Sequence, residues 1–233
     1  MYAFLTGPGF WLSLGVFSLG CLVRLALYFR GLDWQLDRVA YKAFPAQGFK
    51  GAVRSIYKWL MPFGTHGWRR QPVMTILFFS FHAGAVLVPL FLLGHQTFLR
   101  DKIGLYLFAL PGGVADFLTW VVVVSAVLIV LRRLALPEVR ILTTWSDYLI
   151  ILVSVIPFIT GLIARYEPGG YSFWLTAHIL GGELFLILVP FTRLSHIVLF
   201  FASRAQLGMD FGIKRGGAER HRNGLVIHVK QFC

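Results

Sequence analysis

The chain predicts an all-α, polytopic membrane protein with five transmembrane helices, and three observations carry that expectation. Hydrophobic residues make up 57% of its 233 residues and mean hydropathy is +0.71, more apolar surface than a soluble domain of this size can cover. The apolar residues gather into runs of about 20, the length that crosses a bilayer as a helix. The charged residues, only 14% of the chain, collect between those runs with Lys and Arg outnumbering Asp and Glu 22 to 10. Because the basic residues flank apolar runs and do not form a patch interleaved with exposed aromatics, the net charge of +12 speaks against a nucleic-acid partner.

The first span is expected over 9–29. It lacks a basic leader and a small-residue cleavage site, so it reads as a retained helix and not a signal peptide. The others are expected over 72–95, 113–134, 146–165 and 173–201. An odd number of spans places the termini on opposite sides. The loop 30–70, the turn 132–145 and the C-terminal tail together hold seventeen Lys and Arg, whereas the opposite connections hold three, Arg100, Lys102 and Arg165. The positive-inside rule then puts the N-terminus outside and the loop and tail in the cytoplasm, in a cytoplasmic (inner) membrane.

Two regions outside the spans have their own character. Within 30–70, "DRVAYKAF" and "FKGAVRSIYKWLMPF" mix basic and apolar residues at helical spacing, as in an amphipathic helix lying on the headgroup layer. After Phe201, "GIKRGGAERHRNG" is too polar and glycine-rich to bury a core alone. The expected division is therefore a membrane domain over 1–201 and a cytoplasmic tail over 202–233, which either stays disordered or orders against a redox partner.

Cys21 and Cys233 lie far apart, and no CxxC or CxxCH occurs. Thiolate-bound zinc, an iron–sulfur cluster and thioether-linked haem therefore have no ligands in this chain. A redox centre here must be held by imidazole. Of seven histidines, His82, His95, His178 and His196 fall in or at the ends of spans, where an imidazole is costly without a partner.

On an unbroken fifth helix the eighteen residues from His178 to His196 make five turns. The two imidazoles then share one face roughly 27 Å apart. This separation excludes a shared ion and suits two cofactors, one near each membrane face. On the second span, His82 and His95 are thirteen residues apart, with Pro89 between them to kink the helix. Pairing by depth in antiparallel helices sets His82 with His196 and His95 with His178, which gives a bundle with two bis-histidine haems. Gly84, Gly94, Gly181 and Gly182 beside these positions suit either a porphyrin face or ordinary helix packing.

The segments "RRLALPEVRILTTWSDYLIIL" (132–152) and "AHILGGELFLILVPFTRLSHI" (177–197), with "FHAG" at 81–84, resemble the gamma subunit of respiratory nitrate reductase and its relatives. These are five-span dihaem b-type cytochromes that also occur in redox complexes of sulfate-reducing organisms. The resemblance implies that His82 and His196 ligate the inner haem and that His178 ligates the outer one. The family's fourth ligand lies ten residues after the first, where this chain has Leu92, so His95 is the expected substitute. It further implies an electron-transfer subunit of a quinone-linked oxidoreductase. Menaquinone or menaquinol would be its substrate, with a cytoplasmic iron–sulfur subunit and a periplasmic multihaem cytochrome c as candidate partners. His95 and Lys102 are the quinone-site candidates.

Three other polar residues sit within the apolar runs. Glu183 is expected to be protonated or paired, as a proton relay or as a bond to a neighbouring helix. Arg24 and Arg193, near the inner face, suit either a haem propionate or snorkelling to the headgroups. A haem-free proton-coupled transporter using the histidines and Glu183, or a membrane anchor subunit, is the alternative function.

Overall fold

The computed structural model describes residues 1–32, 44–166 and 169–222, with side chains described as far as Gly212. Arg38 and Lys42 of the expected inner loop, and His228, Lys230 and Cys233 of the tail, lie outside the described residues.

Among the described residues the chain is helical, with no strand. Helix α1 (Tyr2–Arg30) is followed by α2 (Pro45–Leu60), the short α3 (His66–Arg70) and α4 (Pro72–Phe91). Then come α5 (Leu93–Ile103), α6 (Gly112–Ala135), the single-turn α7 (Pro137–Arg140), α8 (Trp145–Tyr166), α9 (Tyr171–Leu188) and α10 (His196–Arg222). Five of them, α1, α4, α6, α8 and α9, are long and apolar enough to cross a membrane. The chain is therefore an all-α polytopic membrane protein.

It divides into two compact units, Met1–Gly20 with Gly67–Leu194, and the described parts of Cys21–His66 with Ser195–Cys233. The boundary expected at 201/202 falls inside α10, and the division lies instead within α1, within α3 and just before α10.

In the first unit, α4, α6, α8 and α9 pack in sequence, each against the next, and the start of α1 meets α9. The contacts use small residues, as membrane helices do when no water drives them together. Gly84 lets α4 approach α6 so closely that a Cβ there would lie 2.7 Å from the Leu118 carbonyl oxygen. Gly181 brings α9 against Ile156 and Pro157 of α8. Both glycines thus serve helix packing, while a Cβ at Gly94 or Gly182 would meet nothing within 4 Å. At the far ends of α6 and α8, Asp116 and Arg165 form an ion pair of 2.6 Å.

The start of α8 joins the two longest segments that resemble the dihaem family. The Thr144 amide and hydroxyl both donate to Asp147 Oδ2 (2.8 and 2.9 Å), and the Asp147 amide returns to the Thr144 carbonyl, a reciprocal N-terminal cap. Arg133 donates to Thr143 at 3.1 Å. The other Asp147 oxygen pairs with Arg193. "RRL", "TTWSD" and "PFTRL" are therefore parts of one cluster.

Arg193 lies in the stretch where the expected fifth span breaks. α9 ends at Leu188, a turn follows, and Arg193–Ser195 forms a 3₁₀ turn before α10 begins at His196. Pro190 has no amide proton to continue the ladder. Gly20 leaves room for its ring, since a Cβ at Gly20 would lie 2.5 Å from Pro190 Cβ. The Thr192 hydroxyl takes up the Leu188 carbonyl at 2.8 Å. One unbroken helix over 173–201 is thus corrected, and with it the shared face of His178 and His196.

In the second unit, α2 is the amphipathic helix expected from 49–63, and it packs against α10 through glycine. A Cβ at Gly212 would lie 2.6 Å from the Gln47 carbonyl oxygen and 2.9 Å from Gly51 Cα. Arg204 of α10 stacks over Trp59 at 4.1 Å, and Tyr28 near the end of α1 donates to Gln206.

Candidate functional site

The structure brings two of the four predicted imidazoles face to face. His95 Nε2 and His178 Nε2 are 3.4 Å apart, with ring planes within 14° of parallel. Each ring is fixed from behind by a backbone carbonyl: His95 Nδ1 bonds Pro89 O at 2.9 Å and His178 Nδ1 bonds Pro157 O at 2.7 Å. A carbonyl only accepts, so both Nδ1 atoms carry the proton and both Nε2 atoms of the neutral rings turn lone pairs toward each other.

Two lone pairs at this distance repel unless something electrophilic lies between them. Burial holds the His95 imidazole below the ordinary histidine range, His178 adds to the effect and the Pro89 carbonyl opposes it. The neutral form is the one that ligates a metal, and a carbonyl on the other ring nitrogen is the usual orienting partner of a ligating histidine. His95 and His178 would be the two residues to hold a metal here, through their facing Nε2 atoms. Among the described residues no group of three or more His, Cys, Asp or Glu is placed to hold an ion. A donor set of two opposed imidazoles suits iron whose remaining ligands come from a porphyrin.

Local breaks in the helices create this pair. α4 ends at Phe91, Leu92 is extended (φ −66°, ψ 133°), and α5 starts at Leu93. His95 thus lies beyond the span, not on one straight helix with His82. Gln96, with no exposed surface, holds the break: its amide donates to the Leu90 carbonyl and its oxygen accepts from the Leu107 amide at 2.7 Å. On the other side Gly161 makes room for the His178 ring, because a Cβ there would lie 3.0 Å from Nδ1. Sequence reasoning missed both residues, although a lone amide beside a histidine at a span end was a signal for Gln96.

Gln96→Leu is expected to leave the Leu107 amide and the Leu90 carbonyl without their partner, costing about 1–3 kcal/mol for each group left unsatisfied. Thermal unfolding of the detergent-solubilised protein measures the loss.

The other candidates are placed as follows. His82 is half-buried in α4, with Nδ1 bonded to Phe78 O at 2.8 Å and its ring 4.1 Å from that of Phe78. His196 is exposed at the first turn of α10. His82 belongs to the first unit and His196 to the second. Arg24 is exposed on α1, and Arg193 is engaged by Asp147. Lys102 is exposed, its Nζ 5.6 Å from the centre of the Phe98 ring, which in turn meets Phe10 edge-on at 4.9 Å. The Glu183 carboxyl lies against the π-helical turn Leu5–Gly9 of α1: a Cβ at Gly9 would be 3.0 Å from Oε1, which is buried with no hydrogen-bond partner among the described residues.

Fold and site together define a five-span helical membrane protein with a convergent pair of carbonyl-oriented histidines. The chain belongs to one family with a protein of Nitratidesulfovibrio vulgaris (strain Hildenborough), described simply as "Protein". The two are 62% identical over 220 residues, 94% of this chain and 97% of the relative. No protein-family profile matches the chain, and no solved structure matches it.

Proposed function

We propose that this protein is the membrane cytochrome b subunit of a respiratory oxidoreductase complex, carrying electrons across an inner membrane between the menaquinone pool and a cytoplasmic iron–sulfur partner. The observation that carries this reading is the opposed pair His95 and His178, each held by a carbonyl on its far nitrogen. In this reading they hold the outer b-type haem, and His82 with His196 hold the inner one by sequence spacing and family resemblance. Haem, when bound, supplies one-electron redox chemistry.

The chain's own part is to hold and tune. The Pro89 and Pro157 carbonyls fix the tautomer and make the ligating nitrogens more basic. Gln96 keeps α5 turned so that His95 faces α9. Lys102 and His95 are the candidates to meet a quinone headgroup on the outer side, and a periplasmic multihaem cytochrome c is a further candidate electron partner. The alternative, a haem-free proton-coupled transporter, draws on the buried Glu183 oxygen within a span, which has no hydrogen-bond partner among the described residues.

The test is a reduced-minus-oxidised absorption spectrum of the purified chain, with extracted haem quantified against protein. Two b-type haems per chain are expected. A folded sample made with haem available that contains none overturns the cytochrome reading in favour of the transporter.

A further inference from the structure

Three sectors run along α2. At about 100° per residue, Gly48, Gly51, Ala52 and Ser55 fall on one side, and this side packs on α10. Next round the helix come Phe49, Val53, Tyr57 and Leu60, left 70%, 51%, 55% and 50% exposed. Beyond them lie Lys50, Arg54 and Lys58, four residues apart and all exposed. The helix carries no Asp or Glu. An apolar stripe bordered along one edge by cations is the arrangement of a helix lying in the headgroup layer, its aromatic and aliphatic side chains among the acyl chains and its cations at the phosphates.

We propose that α2 is a docking surface for anionic phospholipid on the inner leaflet. Within the same unit, Tyr28, near the end of the first span, bonds Gln206 of α10, the helix on which α2 packs. That end of the span carries Arg24 and Arg30, the side to which the basic residues assign the cytoplasm. A soluble partner would have to bring both an apolar groove and a row of carboxylates, whereas an anionic bilayer offers an acyl phase bordered by phosphates. The proposal does not depend on haem.

The test uses the full chain in lipid nanodiscs, with Cys21 and Cys233 replaced by serine and a single nitroxide attached at Val53→Cys or Arg54→Cys. Collision rates with oxygen and with an aqueous nickel chelate are compared in phosphatidylcholine alone and with phosphatidylglycerol added. The label at 53 is expected in the lipid phase and the label at 54 in water, with the lipid signal at 53 rising as phosphatidylglycerol is added. Lys50→Gln and Lys58→Gln are each expected to lower the docked-to-undocked ratio roughly fivefold.

The native chain gives a second reading without any variant: trypsin cleavage within α2 should slow when phosphatidylglycerol is present. A label at 53 that stays in water in both lipids overturns the proposal. So does insertion that ignores lipid charge, and so does shielding from both collision reagents, the mark of a protein occupant.

Discussion

On the proposed cytochrome reading, alanine at His178 is expected to remove one of two haems from the purified chain, and alanine at His95 the same one. This shared phenotype is the sharpest expectation of the site, because the two imidazoles face each other across 3.4 Å and, among the described residues, no group of three or more His, Cys, Asp or Glu is placed to hold an ion in their stead. Losing only an orienting group costs a metal site about 10–100-fold in affinity, so losing a ligand should empty it. The double variant should be no worse than either single one, since residues that act as one unit do not add. His82→Ala and His196→Ala should remove the other haem and leave the first spectrum intact. If His95→Ala still carries two haems, the outer site is not bis-histidine, and His95 is only a neighbour of His178.

Leucine at Gly208 should force the second unit's helix pair apart. A Cβ there would lie 2.8 Å from Ala52 Cα and 2.6 Å from Ser55 Cβ, and it would also press on the Gly51 carbonyl oxygen. Backbone cannot swing aside as a flexible side chain does, so α2 and α10 must separate. Overpacking of this kind costs about 1–3 kcal/mol, read as a lower thermal midpoint and as faster proteolysis within α2. Gly51→Leu should do the same. Gly15→Ala is the control: nothing lies within 4 Å of a Cβ there, and removing a helix-interior glycine should be neutral or stabilising by about 0.5–1 kcal/mol.

The spans were legible because hydropathy is a property of the linear chain. Expected bounds of 113–134 and 146–165 meet α6 at Gly112–Ala135 and α8 at Trp145–Tyr166. Where the outcome depended on contacts between distant residues, the sequence was silent or misleading. The run 173–201 reads as one apolar helix, yet Pro190 ends the ladder where Gly20 admits its ring. His95 was reachable as the next histidine after Leu92. Its orientation was not, because the backbone leaves the helix at Leu92, and that departure is held by Gln96 reaching Leu107. "TTWSD" and "PFTRL" could each be recognised, but nothing in either announces that Asp147 and Arg193 meet. The glycines divided: Gly84 and Gly181 pack helices, whereas Gly161, unnoticed, makes room for the His178 ring.

The glycine contact of α2 with α10 also bears on how the chain is made. Gly51 and Gly208 are 157 residues apart, so at about 5–20 residues per second α2 leaves the ribosome roughly 8–30 s before its partner exists. During that interval its bare glycine side has no helix to meet. A chain interrupted before His196 never supplies one, and the glycine side of α2 then has no α10 to pack on. A contact made late in synthesis is in this sense what completes the first loop.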